Sequence, residues 1–206
     1  MGRANLECEC GAVSWEIHES DPRLGIRYVC HCDDCQAYAQ FLGAPDRLLD
    51  SHAGTDAYQL PASRFQIARG SDQLACVQVT SRPLLRWYCI SCRTPVANTY
   101  HTSKLSFLSL PIPRTRSSEV DQVLGPSSGH VWTKFGRGDL SDVRQVNIPA
   151  MLWRMFSRIV SARWTGDYRS NPLFDPSTAA PIAPPKRLAA AQRSELDEKA
   201  KASRGA

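Results

Sequence analysis

Seven of the eight cysteines in this 206-residue chain fall into three short clusters. Residues i and i+2 of an extended strand point to the same side, and a C-x-x-C pair brings two sulfurs together across a tight turn, so both spacings suit metal ligation. Thiolates in such numbers select zinc, copper(I) or an iron–sulfur cluster. The chain is therefore predicted to bind metal through the clusters Cys8/Cys10, Cys30/Cys32/Cys35 and Cys89/Cys92.

The spacing favours two sites of different kinds. Cys30, Cys32 and Cys35 lie within six residues and can reach one ion, which leaves two pairs for a closed four-sulfur site. Closed tetrahedral sites are structural, whereas three protein ligands and an open position are typical of catalytic zinc. A second partition stays open, in which Cys8/Cys10 and Cys30/Cys32 close one site. The three-cysteine cluster could also be purely structural.

Other uses of the cysteines fit the sequence less well. A disulfide framework requires export, and the first residues lack the apolar core of a secretory signal, so a cytoplasmic location is expected. A redox C-x-x-C motif would need a thioredoxin-like βαβ context, which the pattern does not provide. Cys76 lies in the apolar run 74–77 and is predicted to be a buried core thiol.

The histidines and aspartates near the clusters are assigned supporting roles. His31 stands between two ligands and cannot easily share their direction, so it is predicted to lie behind them. Asp33 and Asp34 are interpreted as turn formers within the knuckle. Ordinary surface positions are predicted for the other histidines, His18, His52, His101 and His130.

The first half of the chain is predicted to be mainly β. Apolar residues make up 42% and charged residues 22%, which is typical of a globular protein. Residues 1–113 form the predicted zinc-binding domain, an antiparallel β-sheet with small helical decorations, among them a helical turn at 46–51 capped by Asp46. Strands are predicted at 13–17, 26–30, 64–68, 74–80, 84–88 and 104–110.

Residues 114–175 are predicted to be a C-terminal α-helical extension, a loop followed by an amphipathic helix at about 148–164 that Asn147 caps. This helix is expected to pack on the β domain or to form a homodimer, with a membrane-surface or nucleic-acid helix as the alternative. Residues 176–206 are predicted to be a Pro-rich linker or strap followed by a solvated basic tail, with a frayed helix as the alternative for its final 21 residues. In residues 186–206 six basic and three acidic side chains give +3 of the net charge of +5. Neither a membrane nor a nucleic-acid partner is expected.

The cysteine motifs resemble those of the glutathione-dependent formaldehyde-activating enzyme family, which also includes centromere protein V. The shared pattern is C-x-C-G-A-V at 8–13, C-H-C-x-x-C at 30–35 and C-x-x-C at 89–92, within about residues 6–110. The resemblance implies an Mss4-like fold, a structural zinc on Cys8, Cys10, Cys89 and Cys92, and a catalytic zinc on Cys30, Cys32 and Cys35. The chain departs from the family in carrying Arg93 where glycine is common, and in its long C-terminal extension.

The resemblance also implies a zinc-dependent carbon–sulfur lyase that forms or cleaves the adduct of a small thiol, such as glutathione, with a small aldehyde. Three thiolates on Zn²⁺ leave a net charge of −1, which activates water poorly but still allows a fourth thiolate to bind. Cys30, Cys32 and Cys35 are therefore the expected catalytic ligands, with His31 or a nearby aspartate moving a proton. The alternatives are a non-catalytic zinc-stabilised module that binds protein or nucleic acid, and a thiol-based redox or metal sensor.

Overall fold

The computed structural model describes residues 2–20, 25–114 and 123–205, and within them the strands form two sheets. The smaller sheet is antiparallel, with β1 (Gly2–Glu7), β2 (Ser14–Ser20) and β5 (Phe65–Arg69) side by side in that order. The larger sheet contains β3 (Ile26–Cys30), β4 (Thr55–Leu60), β6 (Leu74–Gln78), β7 (Leu84–Cys89), β8 (Pro95–Tyr100), β9 (Leu108–Pro111), β10 (His130–Val131) and β11 (Pro185–Arg187).

The larger sheet has the spatial order β10-β3-β4-β9-β8-β7-β6-β11. Its inner pairs are antiparallel, whereas β10 joins β3 and β11 joins β6 in parallel at the two edges. The helices are α1 (Asp33–Phe41), α2 (Pro45–Leu48), α3 (Ile148–Thr165) and α4 (Ala190–Gly205). The prediction of a mainly β protein with a helical extension is confirmed.

The main core lies between the two sheets. Alternation along β2 buries Trp15 and Ile17, which belong to one apolar cluster with Trp87 of β7 and Leu108 of β9. A second cluster forms around α1, where Tyr38 and Leu42 pack with Val77 and Tyr88 of the larger sheet. Trp87 and Tyr88 are neighbours in β7 and belong to different clusters, so this sheet has apolar layers on both faces.

Several predicted elements have different bounds in the structure. The helical turn predicted at 46–51 is α2, which begins at Pro45 after the N-cap residue Ala44, so Asp46 is not the cap. The last predicted strand starts four residues late, at Leu108, because residues 101–105 form turns and bends. The sequence did not predict β4 or β8, since β4 is buried on both sides and lacks alternation, and β8 begins with a proline.

Helix α3 starts as the sequence predicts. The Asn147 side chain accepts a hydrogen bond from the amide of Ala150 at 3.0 Å, which satisfies one open donor of the first turn. The left-handed Gly166, at φ 85°, ends the helix. Residues 115–122 of the loop predicted before this helix lie outside the described residues.

The end of the chain forms a helix, one of the two forms predicted for the tail, and most of its described side chains are exposed, but one side of the helix is docked. Residues 185–187 form an edge strand on β6, as a strap would, and α4 packs against α1. The guanidinium of Arg193 lies 2.7 Å from the carboxylate of Asp34, and Ala200 is buried. The sequence did not show this because α4 has no apolar stripe and docks through polar contacts. Within the described part of the chain, no helix has the length and apolar character needed to cross a membrane.

Candidate metal centre

Four cysteines from the two ends of the zinc-binding region converge at one point. Cys8 follows β1, Cys10 lies in the turn after it, Cys89 ends β7 and Cys92 lies in the turn before β8. All four sulfurs lie within 4.8 Å of one another. The Cys8 and Cys10 sulfurs are 3.4 Å apart, and those of Cys10 and Cys89 are 3.7 Å apart. We call this group the closed cluster.

The spacing of these sulfurs fits a bound metal ion. Zinc–sulfur bonds of about 2.3 Å in a tetrahedron place the sulfurs about 3.8 Å apart. The closed cluster supplies four thiols near this spacing, with Cys8 and Cys89 buried and Cys10 exposed. The structure thus brings together the four residues that the resemblance assigned to a structural site.

Two tight turns hold the closed cluster. The amide of Cys8 donates to the carbonyl of Val13 at 2.9 Å, and the amide of Val13 donates to the Cys8 sulfur at 3.2 Å. In the other turn the backbone of Arg93 is left-handed, with φ 58°. Glycine adopts this conformation most easily, so Arg93 is one of the few residues other than glycine with a positive φ in the described structure. The Arg93 guanidinium lies over the rings of Phe41 and Tyr88.

Three further cysteines meet where β3 leads into α1. Cys30 ends β3, Cys32 is the N-cap residue of α1 and Cys35 lies in its first turn. Their sulfurs also lie within 4.8 Å of one another, and those of Cys32 and Cys35 are 3.3 Å apart. We call this group the open cluster, since the described residues bring no fourth sulfur, imidazole or carboxylate within that distance.

The turn predicted at Asp33 and Asp34 is instead the first turn of α1. Acidic side chains are favourable there because the helix N-terminus carries a partial positive charge. Asp34 is buried and lies 3.2 Å from Arg82 and 2.7 Å from Arg193. Asp34 therefore ties the helix that carries Cys35 to α4 and to the loop before β7.

The open cluster lines a cavity of about 400 Å³. Its walls include Cys30, Cys32 and Cys35, together with Asp34 and Arg86. A volume of this size lies in the range of small-molecule sites. The closed cluster is not among the residues lining this cavity.

Arg86 is the buried cation of this cavity. It is 2% exposed, and its Nη2 lies 4.0 Å from the Cys35 sulfur and its Nη1 3.5 Å from the Asn98 Oδ1. The guanidinium also lies over the Tyr38 ring, 5.0 Å from its centre. Its Nε has no hydrogen-bond partner within the described structure although it is buried. A guanidinium with five N–H donors and so few acceptors can interact strongly with an anion.

The open cluster favours one thiolate over the others. Hydrogen bonds from Cys30 and Cys32, together with the charge of Arg86, hold the pKa of Cys35 well below its usual range despite burial. The same sulfur contacts raise the pKa of Cys30 well above its usual range. Burial alone would lower the pKa of Arg86. The negative charge of the neighbouring Cys35 opposes this effect, and the pKa of Arg86 is raised. Cys35 and Arg86 thus stabilise each other's charged forms.

His31 lies behind the cysteines, as its position between two ligands predicted. It is fully buried, and its Nδ1 lies 2.9 Å from the carbonyl of His52 and its Nε2 2.9 Å from the Nδ1 of His130. His31 is not among the described residues that line the cavity. Its contacts favour a role in holding the segment between Cys30 and Cys32, and its catalytic role stays a prediction.

Two of the other histidines differ from their prediction as ordinary surface residues. His130 is half-buried and stacks on the ring of His31, because β10 pairs in parallel with β3. His52 is half-buried, and its Nδ1 lies 2.8 Å from the carbonyl of Arg137. His101 is exposed as predicted, and His18 is half-buried, 3.5 Å from Glu16.

Arg86 and Cys76 show what the sequence could and could not reveal. Cys76 is 2% exposed, so its prediction as a buried core thiol is confirmed. The sequence analysis did not single out Arg86. The alternation in β7 was a usable signal, since it places Arg86 and Tyr88 on one face and Leu85 and Trp87 on the other. A charged residue within such an apolar strand indicates a special environment.

Comparison with known proteins gives a family and distant structural neighbours. No curated protein matches the chain. A crystal structure of a Rhodobacter sphaeroides protein, solved as a structural genomics target, is 20% identical, covers 53% of this chain and 84% of its own, and has a TM-score of 0.38. A family model described as a family of unknown function, DUF6151, matches residues 2–183. Since this match covers most of the sequence, the chain belongs to the DUF6151 family.

Proposed function

We propose that this protein binds two zinc ions and acts as a carbon–sulfur lyase on the adduct of a small thiol with a small aldehyde. One observation carries the proposal: three thiols and a buried guanidinium converge on the wall of a ligand-sized cavity. A site built only for stability has no need of such a space. The closed cluster, which does not line the cavity, is the structural site of the proposal.

The donor sets support zinc in both clusters. Zinc bound by three protein thiolates would stabilise a substrate sulfur as a thiolate near neutral pH. Cys30, Cys32 and Cys35 would hold it, and Arg86 would balance the negative charge that gathers in the cavity. In the cleavage direction the bond between sulfur and the hydroxyl-bearing carbon breaks, the hydroxyl loses its proton as the aldehyde forms, and the sulfur leaves as a thiolate.

The proton needs a carrier that borders the cavity. The sequence analysis named His31 or a nearby aspartate for this role. Asp34 lines the cavity, whereas His31 lies behind the cysteines with both ring nitrogens in contact with His52 and His130. Asp34 is therefore the better-placed candidate of the two.

The resemblance to the glutathione-dependent formaldehyde-activating enzymes supports the same proposal. All seven clustered cysteines match that family's motifs in order and spacing, and we extend to this chain the Mss4-like fold, glutathione as the thiol and the cytoplasmic location. The Arg93 turn adds support, because it has the backbone conformation that a glycine would take.

A second candidate is a zinc-stabilised binding module without turnover. The specific observation in its favour is the exposed apolar face of α3, where Trp153 and Trp164 are 69% and 90% exposed. Such a surface suits a macromolecular partner more than a small substrate. The two candidates predict different results for metal content and for catalysis.

Zinc analysis combined with a turnover assay tests the proposal. We expect two zinc ions per chain after purification without chelators, of which mild chelation removes one. We also expect the protein to accelerate exchange between glutathione and its formaldehyde adduct, measured by exchange NMR, and to lose this activity with the labile zinc. One tightly held zinc, or two with no effect on the exchange, would favour the binding module.

A further inference from the structure

Helix α3 exposes a continuous apolar face. The exposed fractions are 47% for Leu152, 69% for Trp153, 57% for Phe156, 37% for Val160 and 90% for Trp164. With 3.6 residues per turn these five side chains fall within an arc of about 120°. The rings of Trp153 and Phe156 lie 6.2 Å apart, so part of the face is already a contiguous aromatic surface.

This face is distinct from the one by which α3 contacts the rest of the protein. Ala162 is buried, and Met155 and Ile159 on the same side are half-buried. The helix therefore has one wide apolar surface, interrupted near its C-terminal end by Arg163, and only part of this surface contacts the rest of the described chain. Soluble monomers rarely expose contiguous apolar patches of this kind without a binding role.

The charge of the helix selects the partner. Residues 148–165 contain no acidic residue but three arginines, Arg154, Arg158 and Arg163. Tyr168 lies just beyond the helix. The guanidinium groups of Arg163 and Arg169 lie over its ring, 4.8 and 5.2 Å from the ring centre. Between Arg163 and Arg169 the one acidic residue is Asp167. The end of α3 next to Trp164 is therefore cationic and aromatic.

We propose that α3 lies on the surface of an anionic lipid bilayer, with its exposed apolar face in the headgroup region. Tryptophan and phenylalanine with flanking arginines are typical of helices that bind in the plane of a membrane interface. An 18-residue helix is about 27 Å long and can lie along the surface without spanning the bilayer. A second copy of α3 is a poorer partner, because two such helices bring arginines together with no carboxylate from either helix.

This inference changes the expectation drawn from the sequence. From the sequence, the helix was expected to pack on the β domain or to form a homodimer, with a membrane-surface or nucleic-acid helix only as the alternative, and no membrane partner was expected. That expectation rested on the lack of a spanning segment and could not anticipate the side on which α3 contacts the protein.

Vesicle binding by the full-length, zinc-loaded protein tests the inference. We expect co-sedimentation with vesicles of phosphatidylcholine and phosphatidylglycerol in equal parts, a blue shift of tryptophan emission, and weaker binding to pure phosphatidylcholine. The double variant Trp153→Ser/Trp164→Ser should lower the partition coefficient about tenfold or more. Arg163→Gln and Arg169→Gln should each lower it about fivefold at low salt. Trp132→Asn removes an exposed aromatic outside the helix and should change nothing.

Three results would overturn the inference. In the first, the native protein and the double tryptophan variant bind the vesicles equally. In the second, the native protein does not bind the anionic vesicles. In the third, lipid binding is again absent, and the native protein is a dimer that the double variant converts to a monomer. Light scattering after size-exclusion chromatography distinguishes the last result. Circular dichroism of each variant checks that a loss of binding is not a loss of folding.

Discussion

The two cysteine clusters differ in how far apart along the chain their members lie. In the closed cluster Cys10 and Cys89 are 79 residues apart, so a bound ion would join the end of β1 to the end of β7. In the open cluster Cys30 and Cys35 span six residues at one strand–helix junction. An ion that closes a long loop restricts the unfolded chain far more than one that closes a short loop.

The two clusters also differ in the groups that surround them. The closed cluster is held by two backbone turns, and the described structure places no guanidinium against its sulfurs. The open cluster has Arg86 beside Cys35 and a cavity in front of it. This difference agrees with the proposed division, in which one cluster stabilises the fold and the other is available for chemistry. The variants below test that division.

The largest effect is expected for Cys89→Ser in the closed cluster. Structural zinc sites contribute about 10 kcal/mol or more of binding energy that is also folding energy. The variant should lose one zinc and fail to fold stably, measured by elemental analysis and by urea unfolding. Cys76→Ser is the matched control, because this thiol is equally buried but belongs to neither cluster. Its cost should be about 1–3 kcal/mol, with both zinc ions retained.

Cys35→Ser in the open cluster should separate metal binding from stability. The variant should lose the labile zinc and the exchange activity, because only two sulfurs remain at the site. Its free energy of unfolding should fall by less than half of the loss caused by Cys89→Ser, since the open cluster spans only six residues. Equal destabilisation by the two variants, measured by urea unfolding, would show that both clusters are structural.

The sequence predicted well which cysteines lie together, because cysteine spacing is a local signal. The spacing at 8–10, 30–35 and 89–92 limited the possible ligand sets, and the structure assembles the same seven residues into two groups. The alternative pairing of Cys8/Cys10 with Cys30/Cys32 is not the one that forms. The choice between them depends on which strand ends meet, and that is a property of the whole sheet.

Features that depend on long-range contacts were missed. His130 meets His31 only because β10 adds to β3 in parallel, 99 residues away along the chain. The C-x-x-C segment was interpreted as a knuckle, whereas its second half starts α1. The docking of helix α4 was not predicted, because it relies on Arg193 and not on apolar periodicity. Short-range patterns carry no information on such partners.

Replacing Arg86 tests whether the cavity carries the chemistry. Arg86→Met should lower the turnover number about a hundredfold, because preorganised positive charge near a developing anion is worth about 2.7–4 kcal/mol. Arg86→Lys keeps the charge and should recover part of the rate, which separates electrostatics from packing. Both variants should keep the zinc of the closed cluster. Unchanged kinetics in Arg86→Met would place the reaction elsewhere.

The smallest effect is expected at the contact between α4 and the open cluster. Arg193→Ala removes the 2.7 Å ion pair with buried Asp34, one residue before Cys35, and should cost about 1–2 kcal/mol of stability. Lys199→Ala is the control, since its pair with Glu195 is exposed on the same helix and should contribute little.

The same pair of variants also sharpens the comparison between the clusters. Asp34 lies in the first turn of α1, next to Cys35. Removing its ion pair with Arg193 should loosen this turn, so Arg193→Ala should speed the release of the labile zinc to a chelator. The zinc of the closed cluster should leave at its native rate, since α4 packs against α1, the helix that carries Cys35 of the open cluster. Release followed with a colorimetric chelator would resolve the two phases. Acceleration of both phases would mean that α4 stabilises the whole domain and not the open cluster in particular.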